Sequence, residues 1–289
     1  SSSEMLSRAI VSNDDELQTT HLGVFAYKEV AGKKTRVFNN VELVFENGAW
    51  TYSPLKYWDR TASYYFVSYS PHQDANISFN QEDNQLVINN IPTWQSIDDN
   101  TTDYVIATVS GSAQDFLSPS GAKSVSFEYE HILAQLEVRV VKNALLMNDY
   151  TLSQVDYTNA PVLGTTVEFL HLSSPNGEFM GMDSKVMDQP QTMASPDNAV
   201  VGAEANENTA IKHLVAPFDA GDDKLKITIN YAINGTAQEP KTVATDLQTV
   251  EANQRYVLTL RFESGTVITP TLEIEPWKNI EVDEPKYNW

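Results

Sequence analysis

The sequence predicts an all-β protein, arranged as two Greek-key β-sandwich domains in tandem. Three observations carry this expectation. Short runs rich in Val, Ile, Tyr, Phe and Thr alternate apolar with polar positions at period two. Pro, Gly and Asn-Gly punctuate these runs, and no window of about eleven residues keeps a helical period. The chain has 289 residues, long for one ordinary domain and suited to two.

In the first half, strands are expected at residues 5–11, 22–28, 41–45, 49–52, 64–69, 85–89 and 104–108. A small Greek-key sandwich needs about seven. Asn47-Gly48 joins two of them as a hairpin, because both residues tolerate positive φ. Ser53-Pro54 and Ser70-Pro71 stop their strands, since proline cannot donate to a ladder. Residues 110–123, SGSAQDFLSPSGAK, concentrate Gly, Ser and Pro and read as the connection. They divide the chain into a domain at 1–118 and a domain at 119–289.

The second half restarts with residues 124–141. Val125, Phe127 and Tyr129 alternate, then Leu136, Val138 and Val140 alternate in another phase. The break at 131–135 predicts a bulge or short helical turn that re-aims the strand. His131 lies there and is expected to be buried and hydrogen-bonded. Later strands are expected at 151–157, 165–172, 210–216, 225–233, 241–247, 255–262 and 271–275. Asn234-Gly235 marks a second hairpin. Residues 173–208 are polar and rich in breakers, and are expected to form a long loop with little regular structure.

Charge and composition exclude several classes. There are 39 acidic and 19 basic residues, a net charge of −20. That opposes nucleic-acid binding and contact with anionic membranes. With no cysteine, disulfides, thiolate metal sites and cysteine nucleophiles are excluded. No run approaches the roughly 18–20 apolar residues of a membrane span. The Ser1-Ser2-Ser3 start has no charged or apolar leader and reads as the mature end of an exported chain. A lipidated Cys upstream of it would provide the only membrane anchor.

Catalytic patterns are missing. His21, His72, His131, His171 and His213 are all far apart, with no HExxH or HxH spacing. GxSxG, phosphate loops and dinucleotide fingerprints are absent. No pair among the many carboxylates stands out as a glycosidase pair. The clusters Asp14-Asp15-Glu16, Asp98-Asp99 with Asp103, and Asp219 with Asp222-Asp223 read as solvated turns without EF-hand spacing. No enzyme activity, cofactor or metal site is therefore expected. The aromatic row Trp50, Tyr52, Tyr57, Trp58, Tyr64, Tyr65, Phe66 and Tyr69 reads as sandwich core. The competing reading exposes Trp50, Tyr57 and Trp58 as a stacking platform for sugar rings.

Three segments carry a family resemblance. AWTYSPLKYWDRTASYYFVSYSP, at 49–71, resembles the W-x-Y-x-P-x-x-Y-W segment of Bacteroidetes fimbrillin-type surface proteins. VSFEYEHILAQLEVRV resembles that family's F-x-H-x-L-A-x-L-x-V strand, and VEANQRYVLTLRF with IEPW resembles its closing pattern. The resemblance implies two transthyretin-like sandwich domains and export as a lipoprotein to the cell surface. It implies fimbriae polymerised with other subunits by strand exchange, and adhesion to a host protein or glycan receptor. The family is processed by cleavage after an arginine in the first strand. Arg8 is the only arginine before Arg36, so the expected cut is Arg8–Ala9. The expected donor strand is 279–289, through Asn279, Ile280, Val282, Tyr287 and Trp289. Pro285 removes one ladder donor from its outer part.

Overall fold

The computed structural model describes residues 11, 13–97, 101–116, 124–174, 177–182 and 184–281. Among them the chain is all-β apart from one short helix, Asp14–Leu17. That helix replaces the expected acidic turn. Asn13 caps it, its Oδ1 accepting the Glu16 N–H at 2.9 Å, and three acids sit in the positive first turn.

The largest sheet is antiparallel, in the order Ile280–Glu281, Glu128–His131, Val105–Ser112, Ser63–Ser70, Leu22–Val30, Lys33–Glu46 and Ala49–Thr51. Its central strands are buried continuously rather than alternately. Apolar clusters on both faces explain this. Val24, Ala26, Tyr64, Phe66 and Ala107 face one cluster, which also holds Trp50 and Phe127. Phe25, Tyr27, Tyr65, Val67 and Ile106 face another. The second face is covered by a sheet of Gly177–Met182, Thr166–Ser174, Gln85–Pro92 and Ile77–Asn80.

The third cluster lies between a five-stranded sheet and a six-stranded one. The first has the order Val267–Pro276, Gln254–Ser264, Ala134–Lys142, Ala210–Val215 and Trp94–Ser96. The second is centred on Tyr150–Thr158 and Lys226–Ile233. Leu136, Val138 and Val140 point into this cluster as their alternation predicts, opposite Val155 and Ile229.

The phase break near His131 is a change of sheet. Glu128–His131 pairs with Val105–Ser112. After Ile132 and Leu133, Ala134–Lys142 runs between Ala210–Val215 and Gln254–Ser264. Strand pairing crosses residue 118 at two further places, Gln85–Pro92 with Thr166–Ser174 and Trp94–Ser96 with Ala210–Val215.

Both Asn-Gly hairpins form, with φ of 54° and 78° at Asn47-Gly48 and 48° and 77° at Asn234-Gly235. A third turn of this kind has Ala31 at φ 49° before Gly32 at 77°. Alanine is not a turn signal, which is why the long strand it introduces was not expected before residue 41. The loop expected at 173–208 is corrected: it holds Gly177–Met182, Val186–Met187, Gln191–Ala194 and Ala199–Val200. These strands pair with existing sheet edges and with Ala160–Pro161, a long-range condition that local polarity does not encode.

Candidate functional site where the chain ends converge

The first described residue and the last strand meet at one buried corner. Asp103, 3% exposed, accepts the Val11 N–H at 3.0 Å through Oδ2. The same carboxylate faces His131 Nδ1 at 3.0 Å. His131 is fully buried, as expected, and its ring stacks on Trp277 at 3.7 Å between centroids. Asp103 is thus a structural anchor, correcting its reading as a solvated turn residue. A carboxylate removed from water needs such partners, because burial without them costs several kcal/mol.

Asn253 completes the corner. Its Oδ1 accepts the His131 N–H at 3.3 Å, and its Nδ2 donates to Asn279 Oδ1 at 2.7 Å. Its carbonyl accepts the Trp277 N–H at 2.9 Å, and its own N–H reaches Leu133. Asn279 Nδ2 in turn donates to Glu128 Oε1 at 3.1 Å. Asn253 sits at φ +57°, a left-handed position that asparagine tolerates better than most residues. Its conformation was the one local signal that could have drawn attention to it, and it appears only in three dimensions.

The corner holds the root of the tail in place. Ile280 pairs with Tyr129 and is 2% exposed in the cluster that contains Trp50. Asn279 and Ile280, expected in a donor strand, are therefore seated in their own chain. Arg8, Ala9, Val282, Tyr287 and Trp289 lie outside the described residues. A buried His–Asp pair is also the base and orienting acid of hydrolytic triads. Here the imidazole is sealed between a carboxylate and an indole face, so it ties strands together and presents no base to a substrate.

The aromatic platform is not assembled. Trp50 is 4% exposed and packs edge-on against Phe45. Trp58 is half-buried, stacked on Phe116 at 5.1 Å and against Tyr64 at 4.5 Å. Tyr57 alone is open, at 85%. Both tryptophans went to the core because their ring area is worth more there than in water. Among the described residues, no group of three His, Cys, Asp or Glu side chains could hold a metal ion.

Comparison with known proteins bears on this arrangement. The model of the fimbrillin-like family matches residues 7–277. A crystal structure of a candidate cell adhesion protein from Bacteroides uniformis superposes with a TM-score of 0.54 at 14% identity, covering 94% of this chain and 95% of that one. A fimbrial protein from Bacteroides vulgatus gives 0.54 at 15%, covering 89% and 93%. A candidate cell adhesion protein from Bacteroides ovatus gives 0.52 at 18%, covering 94% and 90%. At these identities the likeness shows a shared fold. No curated protein sequence matches the chain.

Proposed function

Since this chain belongs to the fimbrillin-like family, we propose that it is a non-catalytic subunit of cell-surface fimbriae, assembled by protease-triggered strand exchange. In this reading it consists of two transthyretin-like sandwiches that share the layer between them. Its place is the cell surface, reached through a lipid anchor on the outer membrane. No described helix is long and apolar enough to cross a membrane. Its partners are other subunits and, through adhesion, a host receptor.

The observation that carries the reading is the convergence at Asp103. Val11 is held at the Asp103 corner and Ile280 is paired on the strand that ends at His131 in the same corner, so the described parts of both chain ends meet the large sheet close together. Strand exchange requires one segment to leave a sheet and another to be supplied, with ladder bonds for strength and side-chain pockets for register. The apolar core over the same sheet, with Val24, Phe38, Leu43, Phe66, Val125 and Phe127, is closed around a void of about 10 Å³, so a strand can be supplied there only as another leaves. Ile280 already fills a place in its own chain, so the exchanged part narrows to residues 282–289. Extended, these eight residues would span ~26 Å.

Treatment with an arginine-specific protease is expected to cut at Arg8–Ala9 and yield polymers visible by electron microscopy. Arg8→Ala is expected to remain monomeric, as is a chain ending at Glu281. Normal polymers from either variant would refute the mechanism.

A further inference from the structure

We infer that this subunit carries a binding cleft for neutral saccharides at the open end of the large sheet, away from the corner at Asp103. The inference is independent of strand exchange. Its basis is a change of chemistry along one sheet face. Phe25, Val67 and Ile106 lie on that face where the second sheet covers it. Further along these strands, the covering sheet reaches its turn at Asn84 and its hairpin end at Ser174. The same face then presents two cross-strand rungs: Tyr27, Tyr65 and Ser110, followed by Glu29, Ser63 and Ser112.

These rungs, with Asn84 and Ser173, line a cleft of about 430 Å³. That is within the ordinary range for small-ligand sites and large enough for one or two sugar rings. Its chemistry is hydroxyl-rich. Serine and tyrosine hydroxyls both donate and accept, as the hydroxyls of a sugar do. Ser110 and Ser63 are exposed at the rim, and Glu29 is half-buried as the one carboxylate acceptor. Asn84 Oδ1 accepts the Tyr27 hydroxyl at 2.8 Å, which leaves its amide group as a donor. The Tyr65 hydroxyl is buried beneath the cleft floor beside Ser173 and stays protonated, so the serines, Asn84 and Glu29 offer the polar contacts.

An apolar guest would strip water from these groups without replacing their hydrogen bonds. An anionic guest would meet Glu29 and the field of a chain with net charge −20, and the nearby Lys34 ammonium is already held by the Gln81 and Glu82 carbonyls and Asn84 Oδ1. A neutral polyhydroxylated ring meets neither penalty. Tyr27 and Tyr65 are 6% and 4% exposed, with their rings stacked on each other at 5.5 Å. Ring faces therefore do not stack on the sugar, and single-site affinity is weak, on the order of millimolar. A polymer that repeats the cleft would raise the effective affinity by roughly 10²–10⁴.

The test is titration of the isotope-labelled subunit with methyl glycosides of glucose, galactose, mannose and fucose, with a sialic acid methyl glycoside as the anionic arm. Expected are saturable amide shifts at Ser63, Tyr65 and Ser110 with at least one neutral glycoside, and none with the sialoside. Ser110→Leu, which fills the rim, is expected to weaken binding about tenfold. Ser63→Val does the same by replacing one hydroxyl with methyl groups. Tyr57→Ala, outside the cleft, leaves it unchanged. Melting temperatures check that each variant is folded. The inference fails if no neutral glycoside saturates these amides at about 50 mM, if the shifts lie elsewhere, or if folded Ser110→Leu and Ser63→Val both bind as the parent does. A monomer that never polymerises still reports on the cleft, so this outcome is separable from the assembly test.

Discussion

At the scale of single residues, burial decides chemistry. His213 is 2% exposed and sits edge-on to Trp94 and Tyr157. Burial lowers its pKa to about 4, against ~6.5 in the unfolded chain. Above pH ~6.5 the imidazole is neutral in both states and contributes no pH dependence. Between ~6.5 and ~4 the unfolded chain binds a proton that the folded chain refuses. Stability therefore falls as pH falls, by up to about 3 kcal/mol. Replacing His213 with Phe is expected to flatten that part of a urea-denaturation profile measured from pH 7 to pH 4.5; an unchanged slope would clear His213 of the role. Gly23 is set by contact. A Cβ there would lie 2.2 Å from the Tyr69 ring, its cross-strand partner. Gly23→Ala is expected to cost about 1–3 kcal/mol in thermal or urea unfolding. It would also displace the Tyr69 hydroxyl from Asn40 Oδ1, now at 2.6 Å.

At the scale of elements, turns and edges set the pairing. Ala31 holds a left-handed conformation in the hairpin between Leu22–Val30 and Lys33–Glu46. Asparagine bears that conformation at lower cost. Ala31→Asn is therefore expected to raise stability by about 0.5–1 kcal/mol, read as a higher urea midpoint at unchanged slope. The short strand at Ile280–Glu281 depends on one side chain reaching the core. Ile280→Ala is expected to cost about 2–4 kcal/mol locally and to raise hydrogen exchange at Tyr129, its ladder partner, well before distant strands respond. Strand existence was legible wherever alternation or Asn-Gly spoke for it, as at Ser63–Ser70 and Lys226–Ile233. It was illegible at Ile77–Asn80 and Trp94–Ser96, which are too short to show a period and exist because a neighbouring edge offers them partners.

At the scale of the whole molecule, the large sheet is an interior layer. Leu22–Val30 and Ser63–Ser70 belong to two apolar clusters at once, and Leu133, Phe169 and Leu214 close the second from beyond residue 118. Losing either face uncovers the other, so the strands are expected to unfold together. Hydrogen exchange in increasing urea should show Ser63–Ser70 and Gln254–Ser264 losing protection at one concentration; two separate steps would mean that the shared layer does not couple them. The net charge of −20 adds a uniform repulsion between copies. Contacts between subunits must overcome it, which favours backbone ladders and apolar insertion over charge pairing.

The sequence by itself determined the all-β class, the two Asn-Gly hairpins, the inward face of residues 136–140 and the fimbrillin-like kinship. Each rests on local chemistry: side-chain period, turn conformation, or a short motif. The buried setting of His131 was legible from its phase break, but its partners were not. Asp103 looked like any acid in a polar turn until the fold brought Val11, His131 and Trp277 around it. Trp50 and Trp58 read as core, with a sugar platform as the competing reading, until their neighbours were known. The serine-lined cleft was invisible, because its residues come from strands far apart in the chain. Only the tertiary structure decided these points, since burial and partnership depend on which distant surfaces meet, and period and composition carry no record of that.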